Sequence, residues 1–187
     1  NFIAQLDDAS DRICVKPGDK AICVLPVWHA FQRACEYVVL CQGASLAYSK
    51  PIGSILLADM QALNPQVMPA VPRVFEAVYD GVMRTMRKTG GIVYSLFRFF
   101  TNVALLQSKL SRKMFRREAR FKKGNIVLTW ILCIIPWIIL SPLKALGGKL
   151  VFSKIRSKLG NRFTGGVSGG GALPPAIDEF FWAVGVN

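Results

Sequence analysis

"AICVLPVWHAFQRACEYVVLCQGASLAYS", residues 21–49, decides the fold. Its opening "AICVLP" is a short apolar run of the kind that forms a strand buried on both faces. "HAFQRACEYVVLCQG" then reads as a helix ending at Gly43, and "ASLAYS" as a second strand. Working outward, "NFIAQLDDASDRI" places Phe2, Ile3, Leu6, Ala9 and Ile13 at helical spacing, and "PGDK" breaks that helix. Downstream, "GSILLADMQALNP" reads as a helix with Ser54 as N-cap and Pro65 beyond its end. "QVMPAVP" is a third extended run, and Pro72 opens the helix "PRVFEAVYDGVMRTMRK". Near the end come "RFTGGVSGG" as strand and turn, and "PPAIDEFFWAVG" as a helix with proline in its first turn. Strands alternating with helices predict an α/β fold: a mostly parallel sheet flanked by helices, without internal repeats.

The 187 residues suffice for one ordinary core or parts of two. Opening on Asn1 and closing on "FFWAVGVN", the sequence reads as a segment of a longer protein. The five cysteines (Cys14, Cys23, Cys35, Cys41, Cys133) form no C-x-x-C pair and have apolar neighbours, which favours buried thiols in a reducing compartment over a disulfide frame. With one histidine in the chain, no metal site is expected.

Charge is unevenly placed. Residues 84–162 hold 18 of the 24 Lys/Arg and one acid, Glu118, a net of +17, whereas the rest holds six bases and ten acids, a net of −4. The chain thus divides into α/β portions at 1–83 and 163–187 around a basic and hydrophobic helical insert at 84–162. Such a basic block suits nucleic acid or an anionic membrane surface. Nucleic-acid binding wants aromatics interleaved with the bases. Here "SKLSRKMFRREARFKK" adjoins "GNIVLTWILCIIPWIILSPL", whose 20 residues from Gly124 to Leu143 carry no charge. As a helix they would measure about 30 Å, the thickness of a bilayer's hydrocarbon. A membrane is therefore expected as partner, and no nucleic acid.

A single crossing would put the two α/β portions on opposite sides of the bilayer. Pro136 and Pro142 also interrupt a straight helix, Trp130 and Trp137 favour the interface, and both flanks are basic. The expectation is a monotopic or re-entrant anchor, peripheral on the cytoplasmic face, with Arg116, Arg117, Lys122 and Lys123 on anionic headgroups. A helix buried in the protein or against a partner is the alternative.

Two stretches carry chemistry. "FTGGVSGGGALPP", 163–175, is dense in glycine, yet it is neither a phosphate loop nor a dinucleotide fingerprint. By spacing alone it is a tight strand-to-helix turn. His29 lies just past the carboxyl end of a buried strand, where α/β sheets bind ligands, and it suits a structural histidine equally.

Taken together and in order, these stretches resemble the adenylate-forming superfamily, specifically the long-chain fatty acyl-CoA synthetases. "LPVWHAFQRACEY" is similar to that family's Leu-Pro-x-x-His-x-x-x-Arg segment and "VPRVFEAVYDGV" to its Val-Pro-x-Val-(Tyr/Phe)-Glu segment. "NFIAQLDDASDRI" resembles the helix after its phosphate loop, and residues 149–187 the run into its Gly-Tyr-Gly-x-Thr-Glu motif. The resemblance implies ATP-dependent formation of an acyl-adenylate from a long-chain fatty acid, then thioester formation on coenzyme A. Acyl carrier protein as acceptor is the near alternative, and a non-enzymatic membrane-anchored scaffold the distant one. It also implies that Gly169, Gly170 and Gly171 lie against the adenine of ATP, that His29 orients the carboxylate, and that Trp28, Phe31 and Arg33 flank the acyl channel, Arg33 as a gate. ATP and Mg2+ would be held mainly by residues outside this segment, which alone would be inactive.

Overall fold

The computed structural model describes residues 2–10, 13, 15–115 and 125–186. The elements run α1 (Phe2–Ser10), β1 (Lys20–Cys23), α2 (Ala30–Cys41), β2 (Ser45–Tyr48), α3 (Gly53–Leu63), β3 (Val67–Ala70), α4 (Pro72–Thr89), α5 (Gly91–Met114), α6 (Ile126–Gly147), a π-helical turn (Gly148–Phe152), α7 (Ser153–Leu159), β4 (Gly165–Ser168) and α8 (Pro175–Val184). The strands form one sheet in the order β2-β1-β3-β4, parallel throughout. The α/β fold with a parallel sheet between helices is as the sequence predicts.

Side chains alternate across a strand, and the core splits accordingly. Ile22, Val24, Met68 and Ala70 face a large apolar cluster with α3, α4, α5, α7 and α8. Ala21 and Val67 face a smaller one with Ile13, Val15, Cys35, Val38 and Val39. Fully burying a side chain such as Ile22 or Met68 is worth about 1.5–3 kcal/mol. Residues from the 84–162 stretch enter the larger cluster: Phe97, Phe100, Ala104, Phe152, Ile155 and Leu159.

Gln66 pins three strands at their amino ends. Its side-chain Oε1 accepts from Lys20 N (2.7 Å), its N–H donates to Lys20 O (2.8 Å), and its carbonyl receives Thr164 N (2.9 Å) and Gly165 N (3.3 Å). Pro69 sits in an inner strand, where a missing N–H normally excludes proline. The carbonyls of Gln66 and Ala70 receive Gly165 and Gly169 from the β4 side, so odd positions face β1. There the ladder holds the single pair Ala21↔Val67, and Pro69 lies past its end.

Two local expectations are corrected. Ser54 is not the N-cap of α3; Ile52 is, without a side-chain hydrogen bond, because the helix starts two residues earlier than that cap implies, at Gly53. Pro136 and Pro142 do not break the apolar helix: α6 runs through both from its Asn125 cap. Each proline removes one backbone bond, while packing along α5 holds the helix together. Lys144 Nζ donates to Gln107 Oε1 (3.0 Å) and Ser108 Oγ (3.1 Å), and Trp130 Nε1 donates to Met114 O (3.1 Å). Gly147 allows the closest approach, since a β-carbon there would lie 2.7 Å from the Phe100 ring. The burial alternative does not hold within this chain. Ile131, Leu132, Ile135, Ile138 and Ile139 form one outward face of α6 and are 56–65% exposed.

Gly166 on β4 faces the Phe75 ring, where a β-carbon would lie 2.5 Å from Cε1. Phe75 in turn packs edge-on against Phe181 of α8, ring centres 5.9 Å apart. Gly166→Ala is expected to destabilise by about 1–3 kcal/mol through overpacking. Gly81→Ala, within α4 with open space around it, should be neutral or gain up to about 1 kcal/mol. Denaturant midpoints of the two variants check this.

Candidate functional site at the carboxyl edge of the sheet

In a parallel sheet every strand delivers its following turn to the same edge. β1 leads through Val24–Trp28 to His29, β3 through Val71 to Pro72, and β4 into Gly169–Gly171. The glycines meet the other two turns in sequence. A β-carbon on Gly169 would lie 2.5 Å from Cε2 and Cζ of Phe31, so the ring occupies the space a side chain would fill. Gly169 N–H donates to Ala70 O (3.1 Å). Gly170 has φ +77°, a left-handed conformation that favours glycine, with Val71 beside it. Gly171 has only an ordinary 3.6 Å contact with Pro72, so neither strain nor crowding demands glycine there. The backbone of Gly170 and Gly171 is exposed. Just before it, Ser168 Oγ is buried without a partner. The turn thus leaves backbone uncovered at Gly170 and Gly171, while the hydroxyl just before it is enclosed.

His29 is the N-cap of α2. Its Nδ1 accepts from Phe31 N–H (3.2 Å), which places the proton of the neutral ring on Nε2. The side chain is exposed, and Nε2 has no partner among the described residues. One imidazole therefore serves both readings of the sequence: a structural cap with one nitrogen, an available donor with the other. Trp28 is 83% exposed and takes no part in the core. Phe31 packs against the smaller core cluster as well as Gly169. Arg33 lies 3.8 Å from Glu36 and 5.9 Å from the Tyr37 ring centre.

Glu36 and Gln32 are features that sequence reasoning missed. Both are buried under α2, and Gln32 Nε2 donates to Glu36 Oε1 (3.1 Å). Gln32 and Glu36 are spaced by one helical turn inside an otherwise apolar face, and that polar pair was the available signal. Beneath them Cys23 and Cys35 are free thiols, both pushed up to about 11, chiefly by burial. They behave as small hydrophobes rather than nucleophiles.

Of the residues expected at a membrane, Trp130 is 37% exposed and stacks edge-on with Phe115 (5.4 Å). Trp137 is half-buried, its Nε1 turned inward without a partner. Arg116, Arg117, Lys122 and Lys123 lie outside the described residues, as do Gly124 and Cys14. No group of three His, Cys, Asp or Glu side chains suited to a metal ion occurs among the described residues, so no residue here is assigned to Mg2+.

The family model described as AMP-binding enzyme matches residues 1–187. The chain is 32% identical to "Probable acyl-activating enzyme 16, chloroplastic" of Arabidopsis thaliana over 197 aligned residues, covering 100% of this chain and 26% of that protein. It is 28% identical to a chloroplastic long-chain-fatty-acid–[acyl-carrier-protein] ligase of the same plant, again covering 100% of this chain and 26% of the relative. To human long-chain-fatty-acid–CoA ligase 1 it is 29% identical, covering 89% of this chain and 20% of the relative. The chain thus spans about a quarter of the length of the curated relatives it matches. No solved structure gives a significant match. Relatives are named for chloroplast and peroxisome, so family membership does not carry the cytoplasmic placement. With the family model matched from end to end, the chain belongs to the AMP-binding enzyme family.

Proposed function

We propose that the full-length protein is an AMP-forming ligase for long-chain fatty acids. The carboxylate attacks the α-phosphorus of ATP and expels pyrophosphate. A thiol then attacks the acyl carbonyl, loses its proton and expels AMP. ATP supplies the activated phosphoryl group, with Mg2+ offsetting phosphate charge. The observation that carries the reading is the meeting of two turns, Phe31 of the His29 cap against Gly169 of the glycine run. In this reading the exposed backbone at Gly170 and Gly171 lies along the adenine, continuing from Gly169. His29 donates from Nε2 to the carboxylate and steadies it for attack. Trp28, Phe31 and Arg33 border the entry of the acyl chain, with Arg33 held back by Glu36 as a gate.

Coenzyme A is the first acceptor proposed. Acyl carrier protein is the second, favoured by the full-chain match to a ligase named for it. Supplying the full-length protein with ATP, palmitate and each acceptor in turn distinguishes the two by the thioester formed.

The division of the chain into α/β portions and a lipid-facing insert belongs to the same proposal. α5 and α6 are antiparallel neighbours whose far ends both return to one sheet, so α6 does not cross a bilayer alone. Its outward face and the basic residues in the 116–123 stretch of the sequence suit a monotopic seat in an anionic leaflet. Among the described residues one helical stretch, Ile126–Leu159, is long and apolar enough to reach across a membrane.

His29→Ala in the full-length protein should lower ATP–pyrophosphate exchange about ten- to a thousand-fold and cost about 1 kcal/mol of stability as a lost cap. His29→Asn keeps a cap while losing the reach, so exchange should fall without the stability loss. Undiminished exchange in both removes His29 from the chemistry. Gly171→Val, which meets no steric or φ barrier, should raise KM for ATP while leaving thermal stability unchanged. An unaltered KM places the adenine elsewhere. Ile135→Glu with Ile139→Glu should release the full-length protein from mixed phosphatidylcholine–phosphatidylglycerol vesicles, as read by co-sedimentation. Retained binding puts the anchor outside α6.

A further inference from the structure

A line of contacts connects the lipid-facing side of the hairpin to the glycine-rich turn. At the hairpin's tip Trp130 stacks on Phe115 and donates to Met114 O (3.1 Å). Arg112 lies one helical turn or less from both, on the face of α5 turned toward α8. Its Nη1 is 3.5 Å from Asp178 Oδ2 and its Nη2 3.2 Å from Glu179 Oε1. Lys109, one turn earlier, is 3.1 Å from Glu179 Oε2. The Arg112 side chain is only 13% exposed, and its Nε is buried without a partner.

Asp178 and Glu179 stand near the start of α8, the helix that begins at Pro175, four residues after Gly171. Asp178 N–H also donates to Pro174 O (3.2 Å), tying the carboxylate's own residue to the end of the turn. Apolar contacts between α5 and α8 tolerate sliding, whereas a forked guanidinium between two carboxylates fixes position and rotation together. The Arg112–Glu179 pair, 13% and 25% exposed, is spared part of the screening that weakens surface ion pairs, whereas Asp178 and Lys109 stand 45% and 49% exposed.

We infer that Arg112 is a positioning residue that couples the seating of the α5–α6 hairpin on a lipid leaflet to the placement of the glycine-rich turn through Asp178 and Glu179. The inference rests on the ligase reading above and adds to it a regulation: the adenylating site is set by the surface from which its fatty acid arrives. Lys109 assists by holding Glu179 from the other side. Arg112 does not touch substrate.

The test uses the full-length protein, with palmitate supplied from phosphatidylcholine–phosphatidylglycerol vesicles or from detergent micelles and ATP–pyrophosphate exchange as readout. In the parent, vesicles should raise exchange above the micelle rate. Arg112→Gln should bind vesicles and exchange in micelles as the parent does, yet lose about two- to thirty-fold of the vesicle stimulation. Arg112→Lys, which keeps the charge without the fork, should retain part of it. Stimulation unchanged in Arg112→Gln, stimulation lost together with vesicle binding, or stimulation no greater in Arg112→Lys than in Arg112→Gln each overturns the inference. If Arg112→Gln does not fold, Lys109→Gln is judged by the same criteria. Exchange that vesicles fail to raise in the parent overturns the inference alone, and absence of exchange in both media overturns the ligase reading with it.

Discussion

A phenyl ring occupying the place of a missing side chain holds the two halves of the site together. Phe31 leans into the bare α-carbon of Gly169, and no larger residue at 169 leaves room for it. That contact joins the first turn of α2 to the turn after β4, which lie more than 130 residues apart in sequence. His29 caps the helix carrying Phe31, and Gly170 with Gly171 continues the backbone beyond Gly169. Displacing the ring would part the imidazole from the exposed backbone without altering either.

The same economy recurs elsewhere in the molecule. Gly166 admits Phe75 and Gly147 admits Phe100, so three glycines each receive an aromatic ring at a junction between elements. Dense interiors make such junctions intolerant of added volume. In the hairpin polar contacts join the Gly147–Phe100 junction: Lys144 with Gln107 and Ser108 sets α6 against α5, and Arg112 sets α5 against α8. Arg156 adds a further tie, donating to Val184 O (2.8 Å) and Gly148 O (3.3 Å), so that it joins the π-helical turn to the end of α8.

Much of the architecture was legible in residues 21–49 because apolar runs and turn residues act locally. The places of the strands, the helix after His29 and the parallel sheet all follow from that kind of signal, though each strand is only four residues long. The cap of α3 was not, since Ser54 lies two residues past the true cap, inside the first turn. The prolines of α6 misled for a different reason: their effect depends on whether a neighbouring helix braces the missing bonds. Glu36 under α2 and the pairing of Arg112 with α8 were invisible because each depends on residues distant in the chain or hidden by folding. At the glycine run, spacing alone could not say which residue served packing. The structure separates Gly169, which receives a ring, from Gly171, which receives none.

β4 reads Gly165-Gly166-Val167-Ser168, a sequence with little preference of its own for extended backbone. It is held by β3, whose residues precede it by almost a hundred positions. During synthesis, therefore, β1, β2 and β3 leave the ribosome first, and the oily length of α6 follows while the place beside β3 is still vacant. The nascent chain must carry its greasiest helix through that interval before β4 exists. Whatever first shelters α6, a bilayer or a chaperone, meets the protein before its glycine-rich turn has been made.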